Sequence, residues 1–326
     1  MSVFKLIAAA VTLIGATAPA ATEDWPTRAV TLVVPFAAGG PMDTVGRILA
    51  LRMSELLRQQ VVVVENVGGA GGMTGSARVA KAAPDGYQFL LGNLGTHAAS
   101  QTFYKNPLYN AVTDFAPVAL IAEIPFVLVT RKDFPAGNLR EFTSHARANH
   151  ATMQYGSGGS GSATHLACVL LNAAIGVNVT HVPYRGGGPA MQDLMAGRID
   201  YQCLDTALAI PQIEANTIKA IAILTRERSP ILPAVASAHE QGLNDFEASN
   251  WSGLFLPRGT PVNVVHALHA ATVGALATPS VQERFKELGA TVVAPDRRSP
   301  EYLQRFVADE VEKWAVPIKA SGASIN

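Results

Sequence analysis

From residue 31 onward the chain alternates short apolar runs with amphipathic helical patterns, and glycine-rich loops mark the changeovers. Few folds accept that order. Residues 31–35 (Thr-Leu-Val-Val-Pro) predict a strand. The helix after them carries Val45, Ile48, Leu49, Met53 and Leu56 on one face. Residues 61–64 are a continuous β-branched run, as expected of a parallel strand covered on both faces. The glycines of 68–72 lead into a helix ending near Ala82, and Pro84-Asp85-Gly86 turns the chain into a strand over 87–92. This βαβαβ order predicts a doubly wound α/β sheet.

A second α/β unit follows. Residues 115–130 are nearly continuously apolar, broken by Pro117, Glu123 and Pro125, which suits strands that leave one sheet and enter another. A helix over 139–149, a strand over 177–182, and a helix started by Pro189 and ending near Gly197 come next. Strands over 199–203 and 219–224 flank a further helix. Residues 246–256 are extended again, and helices over 261–276, 280–288 and 300–315, with a strand at 291–293, return to the first sheet. The expected organisation is two doubly wound lobes, 21–122 with 247–326 and 123–246. Two crossings between them make a hinge with a central cleft.

The chain's 326 residues are 48% hydrophobic and 15% charged, ample for a large core and consistent with roughly two domains. Lys plus Arg and Asp plus Glu are equal at 25 each, so no basic face points to nucleic acid or an anionic membrane. Lys5 precedes an apolar run over 6–18, followed by small residues that fit cleavage near Ala20. The run is too short for a spanning helix, so a cleaved signal peptide over 1–20 and export are expected. No later stretch is long and apolar enough to span. The two cysteines, Cys168 and Cys203, leave open one disulfide or two buried thiols.

Four loops, 36–40, 92–96, 155–161 and 184–188, fall where α/β sheets bind ligands, beyond the carboxyl ends of strands. Two belong to each lobe, so they can face one another. The loop 155–161 runs into a helical pattern at Leu166, Val169, Leu170 and Ala173. Turned backbone N–H groups and a helix start make an anion site, and the Ser and Thr hydroxyls add donors without charge.

Gly156-Ser157-Gly158-Gly159-Ser160-Gly161 also matches G-x-G-x-x-G, but the acidic residue expected about twenty positions later is missing, which weakens a nicotinamide oxidoreductase. G-x-S-x-G is absent, and His165, His97 and His181 form no catalytic pattern with the serines. Asp43 compensates a helix start. No spacing suggests a metal, no cofactor is expected, and no catalytic constellation is found.

The chain resembles the Bug family, the extracytoplasmic receptors of tripartite tricarboxylate transporters. The resemblance runs from Trp25-Pro26-Thr27-Arg28 and Val33-Val34-Pro35-Phe36-Ala37-Ala38-Gly39-Gly40-Pro41-Met42-Asp43 through Ala83-Pro84-Asp85-Gly86-Tyr87 and Asp114-Phe115-Ala116-Pro117. It continues in Tyr155-Gly156-Ser157, His181-Val182-Pro183-Tyr184-Arg185-Gly186 and Gly197-Arg198-Ile199-Asp200. It implies a type-II periplasmic binding protein, a monomer that closes like a flytrap on a small organic carboxylate and hands it to membrane permease subunits. A receptor signalling to a sensor kinase is the alternative.

The same resemblance implies ligand contacts at Phe36, Ala38 and Gly39 on one side and Ser157, Gly158, Ser160 and Thr164 on the other. The remaining cleft loops add Thr96 and Tyr184. Arg185 reads as a solvated loop charge. Many relatives carry an acid directly after the strand ending at Cys203; here that position is Leu204 and the acid is Asp205. A ligand role for Asp205 therefore depends on whether its side chain still reaches the cleft.

Overall fold

The computed structural model describes residues 25–57, 62–244 and 246–322; the expected signal peptide and the start of the 61–64 run lie outside them. The strands are β1 (Val30–Val34), β2 (Val62–Asn66), β3 (Gln88–Asn93), β4 (Phe115–Arg131), β5 (Gln154–Ser157), β6 (Thr180–Pro183), β7 (Tyr201–Asp205), β8 (Ile218–Ile223), β9 (Ser249–Pro257) and β10 (Thr291–Val292). The helices are α1 (Pro41–Leu56), α2 (Met73–Ala80), α3 (Ser100–Phe103), α4 (Leu139–Asn149), α5 (Ala163–Ala174), α6 (Gly187–Met195), α7 (Thr206–Glu214), α8 (Val262–Leu276), α9 (Pro279–Glu287) and α10 (Pro300–Ala320).

The strands pair in the order β2-β1-β3-β9-β4-β7-β5-β6, with β8 and β10 also on β4. Period-2 alternation divides β1 and β3 between two cores: Val30, Leu32, Val34, Phe89 and Leu91 face one, Val33 and Leu90 the other. Helices cover both faces of these central strands, so their apolar side chains are buried on either side.

The apolar run 115–130 is one strand, not two. The amino-terminal part of β4 pairs with β9 and β10, and Phe126 to Arg131 pair with β7 and β8. One strand thus carries both halves, the changeover falling at Pro125 and Phe126. Opposite it lies the start of β9, where Ile124 pairs with Asn250 and Pro125 with Ser249. Glu310 of α10, buried, accepts from the indoles of Trp251 and Trp314 at 2.8 Å each and pins that helix against β9.

Other boundaries shift. The strand expected over 177–182 starts its ladder at Thr180, and the one over 246–256 starts at Ser249. The last helix continues through Pro317 to Ala320. Cys168 of α5 and Cys203 of β7 are disulfide-bonded, with Cα atoms 5.4 Å apart and both side chains fully buried. That bond ties a helix to the strand beneath it. Among the described residues no single helix is long and apolar enough to cross a membrane.

Candidate functional site

Each βα junction at the carboxyl ends of β1, β5, β6 and β7 delivers a helix amino terminus to one place. Gly40 caps α1, Ser162 caps α5, Gly186 caps α6 and Asp205 caps α7. One cavity is lined by Gly40, Pro41 and Met42, by Ser162, Ala163 and Thr164, by Gly187, and by Leu204 and Asp205; Phe36, Asn93, Gly158 and Asn250 complete it. Helix amino termini leave N–H groups without intrahelical partners and carry the positive end of the dipole, so their convergence concentrates donors for an anion. No Lys, Arg or His is among the lining residues.

The two halves meet closely around it. Ala37 N donates to Arg185 O at 3.0 Å, and the Tyr104 hydroxyl donates to Ser160 O at 2.7 Å. A Cβ on Gly40 would stand 3.8 Å from Gly187 N, so α1 and α6 point their ends at each other. The cavity measures about 30 Å³, against the roughly 10–15 Å³ that one water needs on that scale. The cleft is shut.

Of the residues expected from sequence, Phe36, Gly158, Thr164 and Asp205 line the cavity. Gly158 N donates to Thr164 Oγ1 at 2.8 Å, and that hydroxyl lies 3.1 Å from Ser162 Oγ, so loop and helix cap share one network. Leu204 and Asp205 both reach the cavity because strand alternation ends where β7 turns into α7. The one-residue displacement of the acid does not remove it.

Six others lie off the cavity lining. Ala38 and Gly39 are exposed, and Gly39 N donates to Asp43 Oδ2 at 2.9 Å. Thr96 is fully buried with its hydroxyl held by Asn93 and His97; Asn93 lines the cavity in its place. The Ser157 hydroxyl shares a 2.7 Å hydrogen bond with His181 Nε2 and another with Gly159. Ser160 offers its carbonyl to Tyr104 and faces a different, outer groove with Tyr184 and Arg185. The Tyr184 hydroxyl donates to Asp193 Oδ2 at 2.7 Å. Arg185 is exposed and off the cavity.

The titratable groups nearby are held in place by structure. Burial alone would raise the Asp43 carboxyl, but Arg47, Gly39 N and Asn66 outweigh it and keep it below the usual range. Asp43 therefore supports the loop before α1. Burial pushes His181 down to about 4, and burial with the nearby His181 pushes His165 to about 3; the two rings stack with centroids 4.0 Å apart. Neutral imidazoles thus support the glycine-serine loop. Asp205 differs: burial pushes its carboxyl up to about 6, although Asn250 donates to it.

Sequence reasoning missed Asn93, Ser162, Gly187 and Asn250. Ser162 was findable as an N-cap before an apolar helix, and it accepts from His165 N at 3.3 Å. Asn250 carried no motif.

Comparison with known proteins agrees with this geometry. Residues 45–323 match the Tripartite tricarboxylate transporter family receptor. The periplasmic binding protein BugD superposes with a TM-score of 0.89 at 40% identity, covering 92% of this chain and 99% of BugD. MatC from Rhodopseudomonas palustris, solved with bound malate, gives 0.88 at 41% identity over 90% of this chain and all of MatC. A second R. palustris protein, solved with adipate, gives 0.87 at 35% identity over 92% of this chain and 99% of its own. The mixed α/β sheet with two halves closing on a shared cavity is the two-lobe periplasmic binding protein architecture. By sequence and fold together, this chain belongs to the Bug family of tripartite tricarboxylate transporter receptors.

Proposed function

We propose that this protein is a periplasmic solute receptor that captures a small organic carboxylate between its lobes and delivers it to the permease subunits of a tripartite tricarboxylate transporter. The observation that carries this is the convergence of the amino termini of α1, α5, α6 and α7 on one cavity without a basic side chain. Neutral donors satisfy a carboxylate without the desolvation cost of a buried ion pair. The malate and adipate bound by two relatives are carboxylates of the expected size class.

In this account the lobes are 21–122 with 247–326 and 123–246, the protein acts as a monomer, and a signal peptide cut near Ala20 exports it. Phe36, Gly40, Asn93, Gly158, Ser162, Thr164, Gly187, Asp205 and Asn250 contact the ligand. We read the site as one that binds without transforming, in keeping with a family of receptors.

A thermal-shift screen against mono-, di- and tricarboxylates, with nicotinamide cofactors alongside, tests this, since ligands of the native state raise apparent stability. Stabilisation by at least one carboxylate is expected. Stabilisation by a cofactor and by no carboxylate overturns it.

A further inference from the structure

Asp205 and Asn250 form a wall of the cavity that asks for something a plain carboxylate lacks. Both side chains are almost completely buried, at 3% and 2% exposure, and both line the cavity. Asn250 Nδ2 donates to Asp205 Oδ1 at 2.9 Å. That bond sets the orientation of the amide, because the reverse orientation would bring two oxygens together. Asn250 Oδ1 is then buried without a hydrogen-bond partner. Helix amino termini supply donors elsewhere in the cavity, whereas this wall presents acceptors: the Asp205 carboxyl and the Asn250 carbonyl.

A buried acceptor left unpaired costs about 1–3 kcal/mol. A ligand that offered only carboxylate oxygens here would leave Asn250 Oδ1 unpaired and set like charge against Asp205, with no Lys or Arg in the lining to offset it. A hydroxyl on the ligand can donate to one of these acceptors, and an ammonium, with three N–H groups, can serve both. We propose that the physiological ligand is a carboxylic acid that also carries a hydroxyl or ammonium group, and that Asp205 and Asn250 select for that donor. This rests on the carboxylate-receptor function and narrows it. Relatives leave the point open: malate carries a hydroxyl and adipate carries no such donor.

The test is titration calorimetry with acids matched in carbon skeleton: propionate, lactate and alanine; succinate, malate and aspartate; glutarate, 2-hydroxyglutarate and glutamate. In the series that fits the cavity, a donor-bearing member should bind about ten-fold or more tightly than the plain acid. Whether malate or aspartate leads within a series tells hydroxyl from ammonium. In Asp205→Asn, whose amide can itself donate, that ratio should collapse to within about three-fold. A plain acid binding as tightly as its donor-bearing partners overturns the proposal, and so does a ratio that survives in Asp205→Asn. The native ratio decides the matter even if the variant does not fold. Carboxylate binding without discrimination sinks this proposal alone, whereas no binding by any of these acids sinks the receptor function with it.

Discussion

The Tyr104 hydroxyl reaches across the cleft and donates to the carbonyl of Ser160 at 2.7 Å, joining the segment after α3 to the loop that cradles the site. The carbonyl cannot be removed by substitution, but the hydroxyl can. Tyr104→Phe keeps the ring and loses one hydrogen bond that joins the two halves. Its net worth is about 0.5–1.5 kcal/mol, so ligand affinity should fall roughly two- to ten-fold, mainly through faster release. Stopped-flow intrinsic fluorescence on the native protein and the variant checks this; an unchanged release rate contradicts the latch.

Gly71 sits against the same carbonyl. Its φ is +62°, and an added Cβ would overlap Ser160 O, so only glycine permits this approach. Gly71→Ala should fold, losing about 1–2 kcal/mol to the left-handed backbone, but should be unable to shut. Small-angle scattering should show no compaction on adding ligand, and affinity should drop about ten-fold or more. Normal compaction would place the closure contact elsewhere.

Asp205 makes stability depend on pH. Its carboxyl is raised from 3.8 to about 6 in the folded protein. Below about pH 4 both folded and unfolded chains hold the proton and nothing is lost. Between about 4 and 6 the unfolded chain releases it first, so stability falls as pH rises, by about 3 kcal/mol in all, and stays lower above 6. Asp205→Asn removes the penalty. It should be more stable than the native protein at pH 7.5 and lose that advantage at pH 4.5, as read by urea denaturation. An advantage equal at both pH values would refute the assignment.

Thr164 and Ser157 should separate in binding, although both are hydroxyls in one loop region. Thr164 lines the cavity and accepts from Gly158 N; Ser157 is spent on His181 and Gly159. Thr164→Ala should cost about 1–3 kcal/mol of ligand affinity. Ser157→Ala should act chiefly on stability. Calorimetric affinities paired with melting temperatures for the two variants distinguish them, and a larger affinity loss at Ser157 would reverse the assignment.

The disulfide closes a loop of 35 residues between α5 and β7. Replacing both Cys168 and Cys203 with Ala should cost about 2–4 kcal/mol of folding stability. Denaturation of the double variant beside the native protein measures it. A native protein insensitive to reductant after unfolding would mean the bond is not formed.

Much of this was legible in the sequence because glycine placement and apolar periodicity report backbone requirements directly. The four glycine-rich loops do lie at the carboxyl ends of strands, and each sends at least one residue to the cavity: Phe36 and Gly40, Asn93, Gly158, and Gly187. Hydroxyls are harder to place from sequence, for a physical reason. A Ser, Thr or Tyr side chain takes whichever partner tertiary packing provides, and Thr96, Ser157 and Tyr184 found Asn93, His181 and Asp193 inside the protein. Asn250 was invisible because its importance comes from pairing with Asp205 across 45 residues of sequence. Period-2 reasoning put Asp205 in doubt next to Leu204, yet a strand ending in a helix obeys no such period.

β4 bears on the order in which the proposed ligand would be recognised. Because Ile124 of that shared strand pairs with Asn250 itself, the Asp205–Asn250 pair lies beside the axle on which the lobes swing. Points near an axle barely travel. Such a wall would stay assembled if the lobes parted, whereas the opposed ends of α1 and α6 would separate. On the proposed function, a ligand would meet this acceptor wall first, and its carboxylate would then bridge the ends of α1 and α6.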